Sequence, residues 1–281
     1  MERRINRAKM LLMFKEKMVA GEKSRATIEK YLRDTEQFLK EMGEGRMLTK
    51  SMVISYKQSL AKNYAVTSAN SKLAAVNCFL RAAGCAEYTV RAFKVQKKAF
   101  RARERELTKE EYISLVKTAR NRGNQQLCML IQTICATGIR ISELPFVTVE
   151  SLYDRRAVVS LKGKTRTVLL PAKLCRQLIR YVQAENIRSG SIFITRNGKP
   201  LDRSNIFHSM KKLCDDAGVD KDKVFPHNLR HLFAVTYYQS ERDVCHLADL
   251  LGHSSIDTTR LYTIVSCEEQ ERQIDSLGLL L

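Results

Sequence analysis

Apolar residues recur with the period of an α-helix along most of the first hundred positions. In the stretch GEKSRATIEKYLRDTEQFLKEM (21–42), this spacing places six apolar side chains on one helical face: Ile28, Tyr31, Leu32, Phe38, Leu39 and Met42. Ser24 or Thr27 suits the start of this helix and Gly43 its end. Similar patterns predict helices over 50–62 and 67–83. The sequence therefore predicts a small N-terminal bundle of four or five helices.

The pattern changes after residue 105. Thr108 and Glu111 have the spacing of a capping box and predict a new helix there. A second, apolar helix runs over 123–138. Alternating stretches then predict strands at 157–161 and 167–171, joined by the basic turn KGKTR, and another strand at 191–195 before a turn at Asn197-Gly198. From Arg203 to the end the period is helical again. The predicted fold class is mainly α with a small antiparallel β-sheet, an α+β arrangement.

A strongly basic segment separates these two parts. RAFKVQKKAFRARER (91–105) contains seven basic residues and one acidic residue. Composition alone leaves two interpretations open, a solvated linker or a strap that lies on an anionic surface. We therefore expect a helical domain over 1–90, a basic linker over 91–106 and a second domain over 107–281. The linker residues expected to touch a polyanion are Arg91, Lys94, Lys97, Lys98, Arg101 and Arg103.

The charge balance narrows the class of partner. The chain has 49 Lys and Arg against 30 Asp and Glu, a formal net charge of +19. Such a surplus favours binding to a nucleic acid, because basic side chains replace the counterions condensed on a phosphate backbone. No run of about eighteen apolar residues predicts a membrane span. The eight cysteines form no Cys-x-x-Cys pair, which favours buried, reduced thiols and a cytoplasmic location.

Four stretches carry candidate chemistry. ATGIRISEL (136–144) contains Arg140 and Glu143, and LKGKTR (161–166) contains Lys162 and Lys164. PHNLRHLFA (226–234) contains His227 and Arg230, which are three residues apart and so share one face of a helix. LGHSSIDTTRLYTIV (251–265) contains His253 and, nine residues later, Tyr262.

Taken singly, each stretch has an ordinary explanation. Arg140 suits a surface charge paired with Glu143, and lysines on a turn are usually solvated. His227 and His231 are four residues apart, as in half of a metal site, but no third ligand is evident. We therefore expect no metal.

Taken together and in this order, the four stretches resemble the tyrosine recombinase family, the phage-integrase-like site-specific recombinases. The family pattern combines T-G-x-R-x-S-E-L, a lysine on a β-hairpin, H-x-x-R and L-G-H followed by a tyrosine. The stretches TIEKYLRDTEQFL (27–39) and TSANSKLAAVNCFLRAAG (67–84) are also similar to the family's helical core-binding domain. Because the chain begins almost directly at these helices, a simple Xer-like or mobile-element recombinase is the favoured type.

The resemblance implies a role for each candidate. Arg140 and Arg230 would bind the non-bridging oxygens of a DNA phosphate, with Glu143 orienting Arg140. Tyr262 would attack the phosphorus, His227 would manage its proton, and His253 would hydrogen-bond the phosphate. A hairpin lysine would protonate the departing 5′-oxygen. The position of Arg166 relative to the turn favours Lys162 over Lys164.

The resemblance also implies partners. No cofactor is expected, because a covalent 3′-phosphotyrosyl intermediate conserves the phosphodiester energy. A homotetramer on two DNA duplexes would pass through a Holliday junction. The C-terminal stretch CEEQERQIDSLGLLL (267–281) would dock on a neighbouring protomer, or else cover its own core. A type IB topoisomerase and a non-catalytic DNA-binding protein are the alternatives. Integration, excision, inversion and resolution all remain open.

Overall fold

A computed structural model of the chain describes residues 5–94, 106–161, 163–253, 255–262, 272 and 275–276. The chain divides into two compact units, residues 1–97 and 98–281. Both are largely helical, and the described residues contain one two-stranded antiparallel sheet. The predicted fold class is therefore confirmed. Within the described ranges, no helix combines the length and the apolar character that crossing a bilayer requires.

The first unit is a four-helix bundle followed by one short 3-10 turn. Its elements are α1 (Arg7–Ala20), α2 (Arg25–Met42), α3 (Lys50–Asn63), α4 (Val66–Ala82) and the 3-10 turn Ala86–Tyr88. Ser24 caps α2, accepting a hydrogen bond from the Thr27 amide, and Gly43 ends that helix, as predicted. Buried aromatic rings hold the bundle together by edge-to-face contacts at centroid distances of 5.0 to 6.4 Å, and these rings belong to Phe14, Phe38, Tyr56 and Phe79.

Two asparagines on α4 hold the extended segment that follows the bundle. Asn77 accepts a hydrogen bond from the Val90 amide (3.0 Å) and donates to the Val90 carbonyl (2.8 Å). Asn70 makes the same pair with Phe93, at 2.8 and 3.0 Å. Because the two asparagines are seven residues apart, they lie on one helical face. Their side chains supply the segment's backbone amides and carbonyls with the hydrogen bonds that a neighbouring strand would provide.

The basic residues of the predicted linker are only partly described. Arg91 and Lys94 flank Phe93 on this held segment, and both are exposed. The other four residues expected to touch a polyanion lie outside the described residues: Lys97, Lys98, Arg101 and Arg103.

The second unit is built around one apolar helix. Its helices are α5 (Lys109–Asn121), α6 (Gln125–Thr137), α7 (Val149–Asp154), α8 (Ala172–Ala184), α9 (Arg203–Ala217), α10 (Pro226–Glu241), α11 (Val244–Leu251) and α12 (Ile256–Thr259). Short 3-10 helices cover Ile141–Phe146, Lys221–Lys223 and Arg260–Tyr262. α6 packs against α5, α8, α9 and α10, which explains its continuous apolar character. The predicted capping box of Thr108 and Glu111 opens α5.

The sheet is a tighter hairpin than the sequence predicted. β1 (Arg156–Leu161) pairs with β2 (Lys164–Leu169), and Leu161 lies directly opposite Lys164. Only two residues separate the strands, and the second of these, Gly163, has a φ of +72° that a two-residue turn favours. The predicted turn, KGKTR, is therefore too long, because its last three residues belong to β2.

The predicted strand at 191–195 is also wrong. Ser191 and Ile194 form only isolated bridges, to Thr148 and Pro200. Ile192 and Phe193 are both buried although they are consecutive, so this run fills the core without a strand partner on either side. The turn that follows is as expected, since the Gly198 amide donates to the Thr195 carbonyl at 2.9 Å.

We predict that Asn77→Ala loosens the segment held on α4. The substitution leaves the amide and carbonyl of Val90 without their partner, which should lower the free energy of unfolding of the first unit by about 1–3 kcal/mol. Hydrogen exchange would report the change as faster exchange of the Val90 amide. Ser68→Ala on the exposed side of the same helix is the control. Unchanged exchange at Val90 would contradict the role assigned to Asn77.

Candidate active site

Two glycines end helices at the centre of the second unit and admit close contacts there. Gly138 ends α6 with φ +62°, and Gly252 ends α11 with φ +61°. A Cβ at Gly138 would lie 2.5 Å from the ring of Phe233, and one at Gly252 would overlap Cδ of Arg166. Both positions thus require glycine for its backbone conformation and for its lack of a side chain. Arg140 and His253 follow these two turns.

Arg230 joins the ends of the same two helices. It lies on α10 and is only 3% exposed. Its guanidinium donates to the carbonyl of Gly138, to the carbonyl of Leu251 (2.8 Å) and to Nε2 of His253 (3.0 Å). The last carbonyls of a helix have no partner within the helix, so a buried cation satisfies them well. Burial and the charge of Arg140 lower the pKa of Arg230 to about 10, which keeps it protonated at neutral pH.

A single buried carboxylate organises the other two arginines. Glu143 accepts from the backbone amide of Arg140 (2.8 Å) and from its Nη1 (2.9 Å). It also accepts from Nε and Nη2 of Arg166, at 3.2 and 2.6 Å. Arg166 in turn donates from Nη1 to the carbonyl of Leu250 (2.7 Å). Burial alone would raise the pKa of Glu143, but hydrogen bonds from Arg166 and Arg140 hold it below its ordinary value.

Arg140 reaches from this carboxylate into a cleft. Its Nη2 donates to the carbonyl of Gly252 (3.2 Å), and its side chain is 39% exposed. The cleft beside it has a volume of about 630 Å³, and its lining includes Glu143, Arg166 and His253. With one N–H pointed at Glu143 and one at Gly252, the guanidinium keeps further donors for a ligand, because it carries five N–H groups.

Tyr262 lies inside the same site. Its side chain is buried, and its ring is nearly parallel to that of His253, with the ring centres 6.1 Å apart. The ring of His231 packs on it at 5.0 Å. On α12, the fully buried Thr259 contacts Nδ1 of His253 through its hydroxyl, at 2.8 Å. The nucleophile candidate and the phosphate-binding candidates are therefore assembled within one protomer.

The electrostatics of the site favour an anion. Three guanidinium groups lie in the site (Arg140, Arg166 and Arg230), and the single buried carboxylate, Glu143, pairs with only the first two. Burial and the neighbouring arginines lower the pKa of His253 to about 4, and the same causes lower the pKa of His227. Both histidines are consequently neutral at pH 7, and the positive surplus lies with the arginines. A phosphate group, with oxygens that only accept hydrogen bonds, matches this set of donors.

The structure brings together most of the residues that the sequence singled out. Arg140, His227, Arg230, His253 and Tyr262 belong to this site, and Glu143 orients two arginines instead of the expected one. Lys162 lies outside the described residues, and Lys164 begins β2. Within the described ranges, His, Cys, Asp and Glu side chains form no group of three that would hold a metal ion.

Two contributors were missed at the sequence level. In the sequence, Arg166 serves only to position the turn, yet in the fold it ties Glu143 to the end of α11. No sequence motif points to Thr259. Each is a single polar residue on a short element, where no periodic pattern marks it. Its hydrogen-bond partner can be identified only from the folded structure.

Comparison with known proteins places the chain among DNA-breaking enzymes. Residues 105–269 match the model of the phage integrase family. The chain is also similar to tyrosine recombinase XerA of Pyrococcus furiosus, with 27% identity over 267 residues, covering 92% of this chain and 90% of that protein.

Solved structures share the fold. A XerH site-specific recombinase bound to its difH substrate superposes with a TM-score of 0.70 at 18% identity, covering 91% of this chain and 80% of that one. A lambda integrase tetramer bound to a Holliday junction gives a TM-score of 0.73 at 15% identity, covering 92% and 77%.

We predict that Glu143→Gln lowers the free energy of unfolding of the second unit at neutral pH. The free energy of unfolding of the variant should also fall less on acidification than that of the wild type. Because the pKa of Glu143 is depressed in the folded state, its carboxylate contributes stability above its ordinary pKa of 4.5. That contribution is lost as the pH falls through the lower, folded-state value. Denaturant unfolding of both proteins at pH 7 and at pH 3 to 4 measures this difference.

The variant should differ most from the wild type at pH 7, and the two should converge in acid. A constant difference across this range would show that the charge of Glu143 does not hold the arginines.

Proposed function

The chain belongs to the phage integrase family, and on that premise we propose that it is a tyrosine site-specific recombinase that cuts and rejoins double-stranded DNA. The observation that carries this proposal is the convergence of Arg140, Arg230, His253 and Tyr262 at one site beside a positively charged cleft. From Arg140 to Tyr262, these residues span more than a hundred positions of the sequence. DNA binding alone would not require a buried tyrosine between two histidines beside that cleft.

The arginines supply the electrostatic part of the reaction. Attack on a phosphodiester places extra negative charge on the non-bridging oxygens in the transition state. Arg140 has guanidinium donors left for these oxygens. Arg230 lies near the start of α10, where its hydrogen bond to the carbonyl of Leu251 holds it in place. Because their positions are set before the DNA arrives, little reorganisation is needed when charge develops. Glu143 and Arg166 act through Arg140 by holding it in place.

Tyr262 supplies the nucleophile. Its phenolic oxygen forms a bond to phosphorus while the bond from phosphorus to the 5′-oxygen breaks, which gives a 3′-phosphotyrosyl link and a free 5′-hydroxyl. The phenol proton passes to His227, which is neutral and therefore able to accept it. The departing 5′-oxygen takes a proton from Lys162, with Lys164 as the alternative. Attack by the 5′-hydroxyl of a partner strand reverses these steps and completes the exchange.

The partners follow from the chemistry and from the relatives. Exchange between two duplexes needs four active tyrosines, and the lambda integrase relative is a tetramer on a Holliday junction. We assign DNA binding also to the N-terminal helical domain, residues 1–90, and to the basic linker, whose described basic residues are Arg91 and Lys94. Both of these linker residues are exposed on a segment that α4 holds in place. With DNA as its substrate, the protein would act in the cytoplasm.

The C-terminal stretch 267–281 is assigned to assembly. Its polar start and four terminal leucines suit docking on a neighbouring protomer, because an apolar terminus requires a partner surface. Religation of the same strand, as in a type IB topoisomerase, would use the same residues without a tetramer. The helical N-terminal unit and this tail favour recombination over that alternative.

We predict that the wild-type protein forms a covalent adduct with DNA and that Tyr262→Phe does not. A nicked suicide duplex traps the adduct, because the short fragment that carries the 5′-hydroxyl diffuses away. A genomic fragment library supplies the candidate sites. Denaturing gels detect the adduct, and peptide mapping locates it on Tyr262. Adduct formation should persist in EDTA, since the proposed chemistry uses no metal.

Tight DNA binding without an adduct on any fragment would instead favour a non-catalytic DNA-binding protein. An adduct on a different tyrosine would show that Tyr262 has been assigned wrongly.

A sulfur substitution in the DNA distinguishes the two hairpin lysines. We predict that Lys162→Ala slows cleavage of an ordinary duplex by about 100-fold or more, as expected when a general acid is lost. The same variant should cleave normally when sulfur replaces the 5′-bridging oxygen, because a thiolate leaves without a proton. Lys164→Ala, the matched control, should affect both duplexes equally. Rescue by sulfur of Lys164→Ala alone would reverse the assignment.

A further inference from the structure

The contact between Arg230 and His253 determines which nitrogen of His253 carries the proton in the free protein. A guanidinium has donors but no acceptor, so the contact of Arg230 Nη2 with His253 Nε2 (3.0 Å) requires an unprotonated Nε2. The imidazole is neutral, because burial and the positive groups around it lower its pKa to about 4. Its single proton is therefore on Nδ1, which donates to Oγ1 of Thr259 at 2.8 Å.

This tautomer is unsuited to the role proposed for His253. The oxygens of a phosphate only accept hydrogen bonds, so His253 can donate to one only from a protonated Nε2. When a phosphate enters the cleft, Arg230 Nη2 acquires an acceptor other than His253. The imidazole is then free to take the other tautomer, with its proton on Nε2 and a lone pair on Nδ1. That lone pair needs a donor in the interior of the protein.

Thr259 is suited to both states. A hydroxyl both donates and accepts, so rotation about its C–O bond converts the partner of Nδ1–H into a donor to bare Nδ1. Its side chain is fully buried on α12, and the hydroxyl thus has little access to water as an alternative partner. Among the described residues, this hydroxyl hydrogen-bonds to His253. Thr259 is also three residues before Tyr262, at the end of the helix that leads directly into the 3-10 helix of the proposed nucleophile.

We propose that Thr259 is a positioning residue that lets His253 exchange tautomers when a DNA phosphate displaces it from Arg230. In the free protein, Thr259 accepts from Nδ1–H. With phosphate bound, the proton leaves Nδ1 to solvent, Nε2 takes one from solvent, and the Thr259 hydroxyl donates to Nδ1. The count of protons on the imidazole is unchanged. The inference rests on the proposed function and adds to it a residue that does not touch the substrate.

The charged and titratable groups around His253 leave this arrangement in place at neutral pH. Arg230 and His227 face it from α10, Arg140 from the position just before the 3-10 helix that follows α6, and Arg166 from β2. Tyr262 stacks on it from the last 3-10 helix. The three arginines oppose a second proton on the imidazole, so a change of tautomer is favoured over formation of an imidazolium.

Two substitutions separate the hydrogen bond from packing. Thr259→Val keeps the shape of the side chain and removes the hydroxyl, whereas Thr259→Ser keeps the hydroxyl. With a suicide duplex bearing a site captured by the wild-type protein, we expect Thr259→Val to cleave about 10- to 100-fold more slowly, the cost of an unpaired buried nitrogen. Thr259→Ser should cleave within a few-fold of the wild type. Thermal unfolding should show that both variants are folded. A binding titration should show that both bind the duplex with the affinity of the wild type.

Nitrogen-15 NMR of histidine-labelled full-length protein tests the free state directly. The resonances of His253, identified by their loss in His253→Asn, should show a protonated Nδ1 and an unprotonated Nε2. A protonated Nε2 in the free protein would overturn the inference. So would equal cleavage by Thr259→Val and the wild type, or equal losses in both Thr259 variants. Failure of the wild-type protein to form any adduct would instead refute the proposed function.

Discussion

The site depends on one buried cation. Arg230 has no room to reach water, and its hydrogen bonds go to the carbonyls of Gly138 and Leu251 and to His253. These carbonyls are the free ends of α6 and α11, which precede Arg140 and His253 in the chain. Burying a guanidinium is costly unless its donors find acceptors, so the position of Arg230 depends on both helices ending beside it. The interaction that satisfies Arg230 therefore also fixes the two residues that would meet a phosphate.

A second arrangement keeps the positive charge available. Arg140 and Arg166 share the carboxylate of Glu143, which holds both side chains at the wall of the cleft. One negative charge balances only one of the two positive charges, so a net positive charge is left. The low pKa values of His227 and His253 leave the imidazoles neutral beside these arginines. In the proposed mechanism, charge and proton transfer are thus divided between residue types: guanidinium groups would bind the anion, and neutral histidines would exchange protons. Such a division suits phosphodiester cleavage by a phenol, which needs a base as well as a cation.

The sequence predicted those features whose signal is local. Helical periodicity gave the extent of α2 to within a few residues, and four ordered motifs gave Arg140, His227, Arg230, His253 and Tyr262. Contacts between distant segments were not predictable in this way. Arg166 is one basic residue among 49, and its importance depends on a carboxylate in a different element and on the end of α11. The strand expected at 191–195 was wrong because an apolar run specifies burial and does not specify a pairing partner.

The proposed mechanism requires one DNA phosphate to bind between Arg140, Arg230 and His253, beside Tyr262. The decisive measurement is a crystal structure of Tyr262→Phe bound to a duplex that carries a captured site. We expect the scissile phosphate to accept hydrogen bonds from both guanidinium groups and from Nε2 of His253, with the ring of residue 262 adjacent to the phosphorus. A phosphate backbone that passes over the unit without entering this cleft would refute the mechanism.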